Sequence, residues 1–196
     1  MSRASRRRRR KRPPPGSSPG TLEIDPAQPA PQMRLIAYGP DLYEERPVTG
    51  AAELVGPLKS GKFPVVWLDV DGLGDASIIE AIGQVVGLHR LSLADVVNTL
   101  QRPKVEDFGT YLFAVLRMPT PANGAEIDTE QVSLVLGPNF VLTFQERSKP
   151  GDCFGPVRER LRQSKGKIRS RGPDYLAYAI IDAAVDAYFP ILEDMG

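Results

Sequence analysis

One stretch of this chain, residues 91–118 together with residues 130–146, constrains the fold more than any other part of the sequence. Residues 91–97 read Leu-Ser-Leu-Ala-Asp-Val-Val, which predicts a short amphipathic helix. Pro103 follows, and proline stops helices because it has no backbone N–H to donate. Residues 111–118 are then almost continuously apolar, which predicts a strand buried on both faces. The chain must therefore combine helices with a buried sheet.

Three strands are predicted in succession, over residues 110–118, 130–136 and 140–145. The elements before them are a hairpin (residues 34–38 and 42–47), a helix (51–59), a strand (65–70) and a helix (75–87). Two helices follow, over residues 152–163 and 173–194, and Pro190 is expected to kink or end the second one. Helices before and after a run of strands predict an α/β fold: an α/β/α sandwich with a mixed central sheet flanked by helices, ending in a long C-terminal helix.

The first 32 residues differ in composition from the rest. Residues 1–12 hold eight of the 25 basic residues, and Pro/Gly/Ser-rich sequence follows, so residues 1–32 are predicted to be a disordered tail. The rest of the chain, residues 13–196, holds 17 basic and 24 acidic residues, which gives it a charge of about −7. The tail could bind nucleic-acid or lipid phosphates. It lacks interleaved aromatic residues and a base-reading fold, so a plain cytoplasmic tail is preferred over nucleic-acid binding.

Several classes of protein are excluded by scarce residue types. Cys153 is the single cysteine and His89 the single histidine, which excludes an internal disulfide and leaves too few ligands for a Cys/His zinc site. With one histidine, the sequence also shows no Ser/His/Asp or Cys/His set of the kind used in nucleophilic catalysis, so no enzyme is predicted. His89 is expected to cap or pack a helix. No stretch reaches the roughly 18–20 apolar residues that span a bilayer, and no signal peptide is present, so the chain alone is expected to be soluble and cytoplasmic.

The last predicted helix carries an acidic stripe. Residues 173–196 contain five acidic residues and no lysine or arginine, and Asp182, Asp186 and Glu193 fall within about 40° of one another around the helix. Apolar residues on both flanks predict packing against protein on two sides. The mutual repulsion of Asp182 and Asp186 calls for a cation. That cation is either a divalent ion, since Mg²⁺ takes carboxylate oxygens, or an arginine from the basic residues 147–171.

Several sequence motifs resemble the cytosolic domain of the CorA family of magnesium and cobalt transporters. They are Leu-Ala-Asp-Val-Val-Asn, Gln-Arg-Pro-Lys-Val-Glu and Thr-Glu-Gln-Val-Ser-Leu, with further likeness over residues 139–146, 151–162 and 174–193. The resemblance covers residues 33–193. It implies that residues 33–196 are a CorA-like cytosolic regulatory domain, truncated before the stalk helix and the pore.

The resemblance also implies metal sites. In the family, a carboxylate that matches Asp95 helps to bind a regulatory divalent ion between neighbouring subunits, and one that matches Asp182 contributes to a second site nearby. Asp95 and Asp182 are therefore the candidate metal ligands, with Mg²⁺ as the expected ion and Co²⁺ as an alternative. Ala94 stands where the family commonly has an acidic residue, which removes one ligand of the second site. The Gln-Arg-Pro-Lys segment has no assigned chemistry beyond orienting the Asp95 helix.

The implied function is Mg²⁺ sensing within a divalent cation transport protein. The family works as a homopentamer in the cell membrane, where ions bound between cytosolic domains hold the channel closed. The expected partners are divalent cations and other copies of the chain, although a pentamer is doubtful for this fragment. The membrane would be reached only through the missing C-terminal helices. Two alternatives stay open: a stand-alone soluble metal-responsive domain, and a basic-tailed nucleic-acid-binding module.

Overall fold

Seven strands form one mixed sheet, and helices cover both of its faces. The computed structural model describes residues 20–25, 27–120, 128–146 and 153–193. The strands are β1 Gln32–Tyr38, β2 Tyr43–Val48, β3 Val65–Asp71, β4 Lys104–Asp107, β5 Leu112–Thr120, β6 Asp128–Leu136 and β7 Phe140–Gln145. They lie in the order β2-β1-β3-β7-β6-β5-β4. Among these described strands β3 and β7 pair in parallel and the other neighbours are antiparallel, so the sheet is mixed as predicted.

The centre of the sheet is formed by the most apolar segments. Strand β7 is buried along its whole length, and β3 is buried except at Asp71. Both strands have neighbours on either side and helices on either face, which is why their sequences do not alternate between apolar and polar residues. The strands predicted over residues 65–70 and 140–145 are therefore confirmed.

The helices form two layers around this sheet. They are α1 Val55–Lys59, α2 Ala76–Val86, α3 Arg90–Val97, α4 Gly155–Arg162, α5 Pro173–Asp186 and α6 Phe189–Glu193. Helices α2 and α3 pack against one face, where Leu35 and Leu68 are buried. Helices α4 and α5 pack against the other face, around Ile36 and Trp67. This arrangement confirms the predicted α/β/α sandwich.

The pair α2 and α3 is held at a fixed separation by its own sequence. Asp75 caps α2 by accepting hydrogen bonds from Ser77 N (2.9 Å) and Ile78 N (3.3 Å). Gly87 ends the helix with φ +74°, a conformation that favours glycine. At Gly83 a Cβ atom would lie 2.7 Å from Leu93 Cδ1, so the absence of a side chain lets α3 approach closely. The candidate residue Asp95 is carried by that helix.

Strand β4 was not predicted from the sequence. Its residues Lys104–Asp107 are charged except for Val105, which is 70% exposed. The strand pairs only on one side, with β5, and forms an edge of the sheet. Apolar patterning does not reveal such a strand because it buries almost no surface, and charged residues are the usual protection of an exposed edge.

The C-terminal helix is interrupted, as Pro190 predicted. Helix α5 ends at Asp186, and α6 resumes at Phe189. Proline cannot donate the hydrogen bond that residue 190 would make to the carbonyl of residue 186. The expectation that no segment could span a bilayer is wrong by length and composition, since Pro173–Glu193 is long and apolar enough, with a mean hydropathy of 1.4. In the fold, its Leu176 and Ile180 are part of the core.

Some residues before position 33 contact the folded part of the chain. Leu22 and Ile24 pack against the core beside α2 and α3. The Pro29 carbonyl accepts a hydrogen bond from Gly74 N (2.8 Å). Composition does not reveal the role of Leu22 and Ile24, because proline and glycine dominate the surrounding sequence. Residues 1–19 of the predicted disordered tail lie outside the described residues.

Candidate cation site at the edge of the sheet

Helix α3 places Asp95 at the edge of the sheet next to β4. Leu93 and Val96 are buried and fix the helix on the sheet, while the Asp95 side chain is 21% exposed. His89 caps the helix, because its Nδ1 accepts from Leu91 N (3.2 Å), and its ring stacks on Phe108. The predicted capping and packing role of His89 is therefore confirmed.

The Asp95 carboxylate binds a side chain through each of its oxygens. Oδ2 lies 2.5 Å from the Lys104 ammonium, and Oδ1 accepts from the Gln101 amide (2.6 Å). The same ammonium donates to Glu106 Oε2 (3.0 Å). One cation is therefore shared by two carboxylates, and the group of three charges has a net charge of −1. We name Asp95, Lys104 and Glu106 the edge triad.

A hydrogen-bond network behind the edge triad holds the connector between α3 and β4. Gln131 on β6 donates to the Asp95 carbonyl (3.0 Å), and its Oε1 accepts from Gln101 N (3.2 Å). Arg117 on β5 donates to the carbonyls of Gln101 (2.8 Å) and Thr99 (3.1 Å). These contacts orient the Gln-Arg-Pro-Lys segment relative to Asp95, which agrees with the orienting role predicted for it.

The network extends from the edge triad to the C-terminal helices. Arg117 Nη1 lies 3.9 Å from the buried carboxylate of Glu146, which also accepts from Gln131 N (2.8 Å). The Arg117 carbonyl accepts from the Tyr188 hydroxyl (2.9 Å), which lies between α5 and α6. Arg117 therefore links the connector beside Asp95 to the interruption of the C-terminal helix, and moving it would break hydrogen bonds at both places.

The donor set of the edge triad fits a weakly held hard cation. Mg²⁺ in proteins takes oxygen ligands, commonly one or two carboxylates, and keeps several of its waters. Asp95 and Glu106 supply two carboxylates that already converge on one ammonium. Among the described residues no group of three or more His, Cys, Asp or Glu side chains could form a fuller cage. The geometry thus favours a hydrated ion at a partly open site over a dehydrated one.

Asp182 lies elsewhere. It is exposed on α5, which packs on the face of the sheet opposite to α3. Neither Asp182 nor Asp186 has a lysine or arginine partner within the described part of the chain, so the predicted arginine pairing is absent there. The structure of this single chain brings Asp95 together with Lys104 and Glu106, and it does not bring Asp95 together with Asp182.

One flank of the acidic stripe is buried against protein, and the other is only partly covered. Leu176 and Ile180 are buried. The expected second packed flank is only partly covered: Ile181 packs against the core and Tyr188 donates to the Arg117 carbonyl, whereas Val185 and Leu192 are 54% and 55% exposed. Tyr178 and Phe189 are exposed on the same helices. In the described residues nothing covers them.

Sequence reasoning did not find Lys104 and Glu106 as site residues. Both belong to the unpredicted strand β4, and residues two apart in a strand point to the same face of the sheet. The alternation Lys-x-Glu directly after Pro103 was the available signal. It was read only as a family motif, because a four-residue charged edge strand carries no apolar pattern.

Comparisons with known proteins place most of this chain in one family of similar sequences. Residues 64–196 match the family described as CorA-like Mg²⁺ transporter protein. The chain is 42% identical over 163 residues to the cobalt/magnesium transport protein CorA of Thermotoga maritima, which covers 83% of this chain and 45% of that protein. It is 29% identical over 140 residues to the magnesium transporter ALR2 of Saccharomyces cerevisiae, covering 70% of this chain and 16% of that protein.

Solved structures show the same fold. The soluble domain of CorA from Methanocaldococcus jannaschii superposes with a TM-score of 0.61 at 16% identity, over 83% of this chain and 59% of that one. The complete CorA magnesium transporter of the same organism gives a TM-score of 0.58 over 83% of this chain and 47% of that one. At such low identity these structures establish the architecture alone.

The fold is thus an α/β/α architecture that is also found in the soluble domain of a CorA protein. The chain belongs to the CorA family. This confirms the resemblance stated from the sequence, and the family is one of membrane transporters rather than enzymes. The chain spans less than half the length of the curated relatives described above.

Proposed function

We propose that this chain is the cytosolic Mg²⁺-sensing domain of a CorA-like divalent cation transport protein. The observation that carries the proposal is the edge triad, in which the Asp95 and Glu106 carboxylates converge on one cation position. The position lies in the segment that matches the family, at a sheet edge open to solvent. Mg²⁺ is the proposed ion, since it prefers carboxylate and water oxygens, and Co²⁺ is the alternative.

The ion would act as an electrostatic bridge. The edge triad carries a net charge of −1, so a divalent ion at Asp95 would bring the net charge of these groups to +1 and attract a further carboxylate. Ala94 offers no such carboxylate, and none of the described residues completes a cage. We therefore propose that full affinity needs an acidic group from a neighbouring copy in a complete transporter. Binding to this chain alone would be weak, in the millimolar class.

Asp182 is proposed as a separate, weaker contact. It is exposed and its α5 position faces away from the Asp95 layer. Its carboxylate could reach an ion only together with ligands from outside this chain. The proposal for Asp182 therefore depends on assembly, whereas the proposal for Asp95 can be tested on the single chain.

The first test is a thermal-shift titration with MgCl₂ at constant ionic strength. Binding to the folded state stabilises it by about 1.4 kcal/mol when the ion is at ten times Kd, which raises the Tm of a chain of this size by roughly 3–5 °C. Asp95→Asn should lose most of that increase, because an amide oxygen carries no charge to bind the ion.

The matched control is Asp41→Asn. Asp41 is exposed in the turn between β1 and β2, at the other end of the strand order from β4. This variant should keep the wild-type increase in Tm. If Asp95→Asn and Asp41→Asn respond to Mg²⁺ alike, Asp95 is not the ligand. Repeating the titration with CoCl₂ shows whether the site distinguishes the two ions.

The cellular setting needs a separate experiment. Immunoblotting of membrane and soluble fractions with an antibody against this chain measures the mass and location of the native product. A membrane-bound product well above 21.5 kDa supports a sensing domain attached to a pore. A soluble product near that mass means that the fold exists without a pore, and its function would then have to be sought afresh.

A further inference from the structure

The Lys104 ammonium occupies the position that a cation at Asp95 would take. It lies 2.5 Å from Asp95 Oδ2 and 3.0 Å from Glu106 Oε2, so it already binds both carboxylates of the edge triad. An ammonium is a compact point charge with three donors on a flexible four-carbon stem. In chemical terms it is a monovalent cation that is tethered to the site by the chain.

Lys104 remains charged in this setting. Burial alone would lower its pKa, but the hydrogen bonds and charges of Asp95 and Glu106 raise the pKa above its ordinary value overall. The Phe113 ring lies 5.8 Å from the ammonium and adds a favourable cation–π contact. At neutral pH the tethered ammonium therefore keeps its charge.

The backbone of Lys104 is fixed while its side chain is free to leave. Lys104 pairs with Val115 in the β4–β5 ladder, so the Cα position is set by the sheet. Its side chain is 27% exposed at the sheet edge, and Glu106 beside it is 43% exposed. The ammonium can thus move into solvent by rotating about its own side-chain bonds, without any rearrangement of the strand.

A divalent ion and the ammonium cannot both bind Asp95 Oδ2. Two like charges within about 4 Å repel strongly when water is partly excluded, and the oxygen already has the ammonium in contact. Entry of the ion therefore requires Lys104 to withdraw. When a site is competent for only part of the time, the apparent Kd rises by the inverse of that fraction.

We propose that Lys104 is a built-in competitor of the divalent ion, and that its contact with Asp95 raises the ion concentration at which the site fills. This inference rests on the proposed cation site at Asp95 and adds to it the residue that sets its threshold. Removing the Lys104 charge should make binding tighter, which is the opposite of what loss of a supporting residue would do.

The test is a titration of the full 196-residue chain with MgCl₂, followed through backbone amide NMR signals near Asp95 and Gln101. Lys104→Gln should lower the apparent Kd roughly two- to fivefold, the range expected for freeing a carboxylate from one partly exposed ion pair. Lys104→Arg keeps a cation at the site and should stay near the wild-type Kd. The matched control is Lys62→Gln, which removes a similar pair with Glu44 (2.8 Å) at the far side of the sheet.

The outcomes separate this inference from the proposed function. Tighter binding in Lys104→Gln alone supports the competitor role. An unchanged or weaker Kd in that variant overturns it, while a wild-type response that Asp95→Asn removes still supports the cation site. If CoCl₂ broadens no signals around Asp95 in either wild type or Lys104→Gln, the cation site is wrong and the competitor role falls with it.

Discussion

At the scale of single residues, the same chemical group has different roles according to what surrounds it. Asp95 and Asp182 are both aspartates on helices that pack against the sheet. Asp95 is held by an amide and an ammonium within 2.6 Å, whereas Asp182 is exposed without a basic partner in the described chain. Asp95 therefore lies in a defined site, and cation binding there can be tested on the single chain. Asp182 is a surface charge that would need ligands from another chain to bind an ion.

The Glu45 carboxylate accepts hydrogen bonds from three side chains, which lower its pKa. Arg162 donates to both of its oxygens at 2.6 Å, and Tyr43 and Arg34 donate at 2.6 and 2.7 Å. The Arg162 hydrogen bonds are the main reason that the pKa of Glu45 falls from 4.5 to about 2. This cluster ties the β1–β2 hairpin to helix α4.

The depressed pKa predicts how Glu45 affects stability as a function of pH. Because the folded-state pKa lies below the unfolded one, the stabilisation is complete above about 4.5 and is lost as the pH falls towards 2. Glu45→Gln should lower the free energy of unfolding at pH 7 by on the order of 1 kcal/mol, a modest value because Arg162 and Arg34 are largely solvated. The deficit should shrink between pH 4.5 and pH 2.

Urea unfolding at several pH values measures this deficit, and the fluorescence of the single, buried Trp67 is a suitable signal. Glu80→Gln is the control, since Glu80 is exposed on α2. It should leave stability unchanged at every pH. A deficit in Glu45→Gln that stays constant from pH 7 to pH 3 would show that the variant acts through packing rather than through its charge.

At the scale of elements, a buried polar network fixes helix α4 on the sheet. Arg158 donates to Asp69 Oδ2 (2.7 Å), and the Asp69 side chain is only 2% exposed. Asp69 Oδ1 accepts from Thr143 (2.7 Å), whose hydroxyl accepts from the Trp67 indole (2.9 Å). The network joins β3, β7 and α4 at the centre of the protein. It is a structural feature because its charges are paired inside the core.

Loss of the Arg158 charge is predicted to be costly. Arg158→Met would leave the Asp69 carboxylate buried without this cation, which should lower the free energy of unfolding by roughly 3–5 kcal/mol. Adding Asp69→Asn should restore part of that loss, since the amide is neutral and still accepts from Thr143. Chemical unfolding of the single and double variants measures both effects.

Arg160→Met serves as the control for this element. Arg160 lies on the same helix and has no ion pair with the described residues, so its replacement should change stability by less than about 0.5 kcal/mol. Equal destabilisation by Arg158→Met and Arg160→Met would mean that α4 depends on its total charge. It would then not depend on the contact with Asp69.

At the scale of the whole molecule, the N-terminal boundary has a measurable consequence. Leu22 and Ile24 pack against the core, and the Pro29 carbonyl pairs with Gly74 N. Deleting residues 1–31 should therefore lower the Tm, because two apolar side chains and a backbone hydrogen bond are lost. Deleting residues 1–19 should leave the Tm unchanged if those residues are disordered as the sequence predicts.

Calorimetry of the two shortened chains beside the full chain distinguishes the cases. Equal melting temperatures for all three would show that residues 20–31 contribute nothing to stability, against the contacts of Leu22 and Ile24. A lower melting temperature after deletion of residues 1–19 alone would contradict the prediction of a disordered basic tail.

The sequence determined the fold class and most of its elements. The apolar runs of β3 and β7 are rich in β-branched residues, and Gly87 and Pro190 mark helix limits through backbone chemistry that does not depend on the surrounding fold. The family motifs around Asp95 can also be recognised without the structure, because each is a contiguous segment of the sequence. These features are local, and local physical rules are sufficient to read them.

Only the tertiary structure decided which side chains meet. Strand β4 has no apolar pattern, so the pairing that brings Lys104 and Glu106 to Asp95 depends on β5 as its partner. The separation of Asp95 from Asp182 likewise follows from the sheet that lies between their helices. Contacts between residues far apart in sequence depend on strand register and layer order, and these are set by the packing of the whole core rather than by any one segment.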